Sequence, residues 1–430
     1  MIVKKLIEKI EGEAVVDYNI KNGVIKDATI KFGLYRGIEE ILKTRPPRDA
    51  LVITPRVCGI CNHAHLIASV RALEDGLKNS GFEFSLSSKA KDIREFTLSC
   101  ELIQNHIKWL YLTILPELFR VLNKTYDKSY TLKASYVANT ITKAMAIFSG
   151  QWPHSSYAVI GGVTCDPTYI DIIQAINLID EVIEFFEKVL IGMDIKKYLS
   201  ITSISNLDRL KGDFRDILYL IGKNNLANIG KSYDRFISFG NSLVSKKGKS
   251  IVTTVSDIDI KFVKEISQDN SLSKAVTYKD RFYETGPLAR AMIKKEPIIK
   301  SMHKRYKDSL IIRVFARVHE SIVLLDRVKK LLNKIDILEP SCTVEPKVKL
   351  EEFSGIGITE AARGSLIHKI KVKDGLIENY DIIVPTQWNL SNNLGRQKGV
   401  AIKAMIGVDS IDKASLIFKS FDVCSVCTVQ

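Results

Sequence analysis

Apolar and polar positions alternate from about Met1 to Phe32, the period of a half-buried strand. Ala14 to Ile20 and Val24 to Ile30 flank Lys21-Asn22-Gly23. Asn-Gly between two such runs predicts a hairpin, because both turn residues tolerate positive φ. The period then changes. Arg36 to Lys43 predicts a short helix, ended by Pro46 and Pro47. Longer helices are predicted over His65 to Leu77, Lys89 to about Asn123 (bent near Pro116), Leu132 to Ile147, Thr168 to about Met193 and Tyr306 to Ile335. Their apolar faces are wide, which suits a central bundle. Short strands are expected around Tyr198 to Ser203 and Lys249 to Thr254. Ser365 to Val372 and Leu376 to Val384 flank Asp374-Gly375, a second hairpin signal.

The fold class is therefore α+β, mainly α: a central bundle of long helices with small peripheral β-sheets. No repeat, low-complexity segment or clear linker interrupts the chain. One intertwined domain over 1–430 is expected. It comprises an N-terminal hairpin region of about 1–50, a helical bundle of about 65–340 and a β-rich, cysteine-bearing segment of about 341–430.

Composition changes this picture little. The 430 residues are 46% hydrophobic and 26% charged, ordinary for a globular chain. The net charge of +14 comes from lysines spread along the whole sequence. That reads as a solvated surface, and no nucleic-acid-binding motif accompanies it. The N-terminus lacks the apolar core and cleavage site of a secretory signal. Ile170 to Ile191, among the most apolar stretches, is interrupted by Asp171, Asp180, Glu181, Glu184, Glu187 and Lys188, so no membrane span is predicted.

Cysteine carries the chemistry. The seven cysteines make no even disulfide set and read as reduced. Four form two C-x-x-C pairs at opposite ends of the sequence, Cys58 with Cys61 and Cys424 with Cys427. Four converging thiolates would select zinc, copper(I), iron–sulfur or nickel over hard cations. A structural zinc site competes here, although its pairs usually lie about 12–20 residues apart. Cys100, Cys165 and Cys342 are expected in the core.

The flanking residues narrow the choice. Arg56-x-Cys58-Gly59-x-Cys61-x-x-x-His65 resembles the N-terminal nickel-binding signature of the [NiFe]-hydrogenase large subunit, and Asp422-x-Cys424-x-x-Cys427 resembles its C-terminal one. Further segments follow in the family's order. These are Lys9-Ile10-Glu11-Gly12, Tyr35-Arg36-Gly37-Ile38-Glu39, Gly150-Gln151-Trp152-Pro153-His154, Gly286-Pro287-Leu288-Ala289-Arg290, Thr359 to His368, and Val384-Pro385-Thr386-Gln387-Trp388-Asn389.

The resemblance implies that Cys58, Cys61, Cys424 and Cys427 bind nickel. Cys61 and Cys427 would also bridge to an iron carrying carbon monoxide and two cyanides. Arg363 would sit above the pair of metals, with Asp422 as its carboxylate partner. Thr386 would hydrogen-bond a cyanide, Pro385 would line the same wall, and His65 would hydrogen-bond a bridging sulfur. Cys427 and Glu11 would carry the proton outward. Glu39 and the residue at Gln430 would hold magnesium or iron.

Two positions depart from the family. Asn105, before His106, stands where the family places an aspartate that pairs with the arginine. Gln430 stands where it places a histidine. The sequence also stops where relatives stop after a C-terminal tail is removed, which fits either a mature form or a tail-less one. The implied activity is H₂ ⇌ 2H⁺ + 2e⁻, with electrons leaving through a small subunit that carries iron–sulfur clusters. A slow-turnover H₂ sensor would share the same ligands. A cytoplasmic location, or membrane association through partners, and assembly of heterodimers into a larger oligomer are further expectations.

Overall fold

The computed structural model describes residues 1–10, 12–33, 35–240, 249–251, 258–268, 271–345, 348–424 and 427. Glu11 and Gln430 lie outside them. The chain opens with an antiparallel sheet of β1 (Ile2–Ile10), β2 (Gly12–Lys21) and β3 (Val24–Lys31). Asn22 and Gly23 turn the hairpin at φ 52° and 74°, the positive-φ pair that such a turn requires. A short helix α1 (Ile38–Leu42) follows.

The bundle comprises α2 (Asn62–Asn79), α3 (Ser88–Trp109), α4 (Ser129–Ser149) and α5 (Tyr169–Phe185). α3 continues through a π turn, Leu110–Ile114, into Leu115–Val121. Where a bend was expected, a π turn thus interrupts the helix just before Pro116, whose missing N–H removes one helical hydrogen bond. β4 (Val263–Gln268) and β5 (Ser271–Tyr278) form a hairpin before α6 (Pro287–Lys294) and α7 (Leu310–Leu332). The second three-stranded sheet is β6 (Phe353–Ala361), β7 (Gly364–Lys373) and β8 (Leu376–Ile383), with Asp374 and Gly375 at positive φ. α8 (Pro385–Leu390) and α9 (Ile411–Ser420) lead to the last cysteines.

Several expectations need correction. Tyr198 to Ser203 is no strand; a helical turn covers Ile195–Leu199, capped by Asp194, whose side chain accepts from the Lys197 N–H. Tyr306 ends a separate helix, Pro297–Tyr306, because Lys307 takes a positive φ. Strand is present over Lys249–Ile251, and the rest of that expected strand lies outside the described residues. Cys342 is exposed and Cys165 only half-buried, so of the three isolated cysteines only Cys100 is a core residue. No described helix is long and apolar enough to cross a membrane.

Two packing features set up the site. α2 lies along β6 at backbone contact. A Cβ on Gly355 or Gly357 would collide with the carbonyl oxygens of Ala72 and Ala68, so the alternating glycines of β6 are what let the helix sit this low. The N-terminal sheet shares a core with the end of α9. Ile7, Val16 and Ile30 belong to the same buried cluster as Phe418, Phe421 and Val423. One sheet thus supports the first cysteine pair and the other supports the second.

Candidate metal centre

Cys58 is extended, and Cys61 is the N-cap of α2. The Cys58 sulfur accepts backbone N–H groups from Ile60 (3.4 Å) and Cys61 (3.3 Å), a turn that favours a thiolate. At the other end, Asp422 takes a left-handed φ of 60° and turns the chain from α9 into the site. That end is clamped from α3 and α7. Trp109 Nε1 donates to the Lys419 carbonyl (2.9 Å), and Arg317 donates to the carbonyls of Ser420 (2.9 Å) and Phe421 (3.2 Å). The Lys419 carbonyl also accepts the Asp422 N–H at 3.0 Å, so Trp109 adds to a bond already made, while Arg317 serves carbonyls at the helix end. A guanidinium also suits the negative end of the helix dipole.

The two pairs meet. Cys58 and Cys424 sulfurs are 3.6 Å apart although 366 positions separate them in sequence. Cys61 and Cys427 are also 3.6 Å apart, and Cys424 and Cys427 2.7 Å. All four sulfurs lie within 4.8 Å of one another and are buried. Four sulfurs placed tetrahedrally about 2.3 Å from one metal would be roughly 3.8 Å apart. Among the described residues this is the group of three or more donor side chains close enough to share a metal. Burial opposes ionisation of Cys58, yet hydrogen bonds from the other three thiols and the field of Arg363 hold it well below its usual value. Burial pushes Cys61 and Cys427 well up. Four thiolates here need a metal cation.

Arg363 sits at the two-residue tip between β6 and β7. Its position is fixed from below. Gly286 approaches the Arg363 carbonyl too closely for a side chain, and Arg290 donates to the carbonyls of Ala361 (3.0 Å) and Ala362 (3.4 Å). Arg290 is itself held by Glu320 and Glu360. The Arg363 guanidinium meets Asp422 at 3.1 Å and reaches Asn105 Oδ1 at 3.5 Å. Burial lowers its proton affinity, but Asp422 and the cysteines outweigh that, so it stays charged. Arg317 approaches the other Asp422 oxygen at 3.8 Å.

Arg363, His65, Pro385 and Thr386 line one cavity with Cys61, Cys424 and Cys427. Its volume is about 10 Å³, the scale of one water-sized molecule. Among the described residues, the Thr386 hydroxyl and Arg363 Nε are buried with no hydrogen-bond partner. A small acceptor would satisfy them. His65 Nδ1 is 3.0 Å from His368 Nε2, and His368 continues to the Tyr380 hydroxyl at 2.8 Å.

Glu39 lies apart from the cysteines. It accepts from the Ile382 N–H (2.8 Å) and has Lys274 Nζ at 3.4 Å; burial pushes its carboxyl up. A hard divalent ion takes about six oxygen ligands, of which Glu39 offers one carboxylate already shared with a lysine. Sequence reasoning missed Glu101, Trp109 and Arg317 as parts of the site. They touch backbone rather than sulfur, and no motif marks that.

A helical chain that closes cysteines from its two ends on one buried point, under an arginine and a small cavity, is a scaffold for a soft metal. The sequence pattern of the nickel-dependent hydrogenases matches residues 36–115 and 241–430. The chain belongs to the nickel-dependent hydrogenase family. It is 25% identical to the periplasmic [NiFeSe] hydrogenase large subunit of Desulfomicrobium baculatum, over 99% of this chain and 93% of that one. It is 24% identical to the hydrogenase-2 large chain of Escherichia coli, over 99% and 96%. The structure superposes on the Ni-Fe-Se hydrogenase from D. vulgaris Hildenborough with a TM-score of 0.85 at 24% identity, covering 100% of both chains. The expected large-subunit fold is therefore the observed one.

Proposed function

We propose that this chain is the catalytic large subunit of a [NiFe] hydrogenase, and that it cleaves H₂ reversibly to protons and electrons. The observation that carries this reading is the convergence of Cys58, Cys61, Cys424 and Cys427 within 4.8 Å. Those four would hold nickel, with Cys61 and Cys427 shared with an iron bearing carbon monoxide and two cyanides. When bound, such a centre supplies the site at which H₂ is polarised and its electrons are taken up.

The chain's own residues do the rest. Thr386 has a free hydroxyl to donate to a diatomic ligand, and Pro385 keeps that wall dry. Arg363, fixed by Asp422, presents an unpaired Nε–H beside the cavity and holds a polar substrate pair in place. A cysteine sulfur accepts the departing proton; Cys427 is the proposed one, with Glu11 as the next carrier. Electrons leave to a small subunit with iron–sulfur clusters, since the described cysteines provide one metal group. Glu39 with Gln430 would hold magnesium or iron, in competition with Lys274, which already serves Glu39. Nothing observed favours a sensor over a turning-over enzyme.

The test is metal analysis with infrared spectroscopy of the purified protein. Nickel and iron in equal amounts, with bands of iron-bound CO and CN⁻, are expected. Zinc alone, without those bands, would overturn the reading.

A further inference from the structure

α2 starts at Cys61, and the N-cap side chain makes no capping hydrogen bond. A cysteine turned to metal cannot also cap its own helix, so the first N–H groups need another acceptor. It comes from α3. Glu101 Oε2 accepts from the His63 N–H at 2.8 Å and Oε1 from the Ala64 N–H at 3.1 Å. Glu101 is 0% exposed, and burial pushes its carboxyl up to about 8, against the pull of the His63 and Ala64 N–H groups and of the Trp152 side chain. A buried carboxylate without a cation is costly; here its compensation is the helix N-terminus.

One turn further along α3, Asn105 works on the other side of the cysteine. Its amide nitrogen donates to the Ile60 carbonyl at 2.6 Å, while its oxygen faces Arg363. An ionised aspartate at this position could not donate to Ile60. The carboxyl of this face therefore stands at 101 rather than 105, and its oxygens serve backbone N–H groups rather than the guanidinium.

We infer that Glu101 and Asn105 are positioning residues for the metal centre: Asn105 holds the peptide before Cys61, Glu101 holds the first turn of α2 through the His63 and Ala64 N–H groups, and together they fix the cysteine between them. This rests on the reading that Cys61 is a metal ligand. Lost support of this kind costs about 10–100-fold in metal retention.

The experiment uses the metal-loaded protein challenged with excess EDTA, following nickel release and the infrared bands. Glu101→Gln keeps the shape but turns an amide N–H toward a backbone N–H. Asn105→Leu removes the donor to Ile60. Both should release nickel about 10–100-fold faster than the parent and shift the bands. Glu101→Asp, which keeps two acceptor oxygens, should recover part of the retention. Glu74→Gln, further along α2 and paired with Arg94 of α3, should lower the melting temperature without faster release. Parent-like release and unchanged bands in Glu101→Gln and Asn105→Leu would overturn the inference, whatever their melting temperatures. If Glu101→Gln does not fold, Asn105→Leu decides alone. A parent protein that carries no nickel at all would instead sink the proposed function.

Discussion

At the scale of single residues, the site depends on planar and charged groups that no isosteric neighbour replaces. Arg363 spans Asp422 and Asn105 with one rigid fork. A lysine there keeps the charge and loses the second contact and the Nε–H. Arg363→Lys should lower H₂-dependent dye reduction by about 10²-fold or more with nickel content unchanged. Loss of nickel in parallel would instead make Arg363 a structural residue. The Arg363 and Asp422 pairing was legible in the sequence because both sit inside recognisable motifs. Glu101 was not. It lies mid-helix among apolar residues, and its role is set by which backbone groups another helix happens to bring opposite it.

At the scale of elements, legibility followed local chemistry. The turns at Asn22-Gly23 and Asp374-Gly375 were readable, because the residues that permit positive φ are few. β6 was harder. The alternation of Ser354-Gly355-Ile356-Gly357 is hidden by its glycines and no strand was expected there, yet those glycines are what let α2 approach. Gly357→Ala should therefore cost about 3 kcal/mol, the upper range for overpacking a site that cannot yield, because the colliding atom is the Ala68 backbone. Gly33→Ala, where nothing lies within 4 Å, should stay within about 0.5 kcal/mol. Guanidinium denaturation compares the two, and equal costs would remove the close-approach argument. Tyr198 to Ser203 reads as strand because Tyr198, Ile201 and Thr202 suit that state, yet Tyr198 and Leu199 close the helical turn Ile195–Leu199. Asp194, accepting from the Lys197 N–H, settles it.

At the scale of the whole molecule, buried ionisable groups set the pH range of stability. Burial holds His319 down at about 4 and depresses His368 as well. Above pH 6.5 each is neutral whether folded or not. Below it, the unfolded chain binds protons that the folded chain refuses. Stability should fall from pH 6.5 toward 4, by up to about 1.4 kcal/mol per pH unit for each group. Glu101 acts in the opposite sense. Raised from 4.5 to about 8, it keeps a proton that the unfolded chain gives up, so stability falls as pH climbs between those values. Denaturation of the metal-free protein across pH should show both limbs. His319→Gln should flatten the acid one and Glu101→Gln the alkaline one, and unchanged slopes would contradict these burial effects.

The 366 positions between Cys58 and Cys424 also impose an order in time. A ribosome adding about 5–20 residues per second needs roughly 20–70 s to travel from one pair to the other. Through that interval the nascent chain shows two of the four converging thiols, half a binding site. A cell that makes this protein must therefore shield that half-site from stray zinc and copper, or deliver the intended metals only once the later cysteines have emerged.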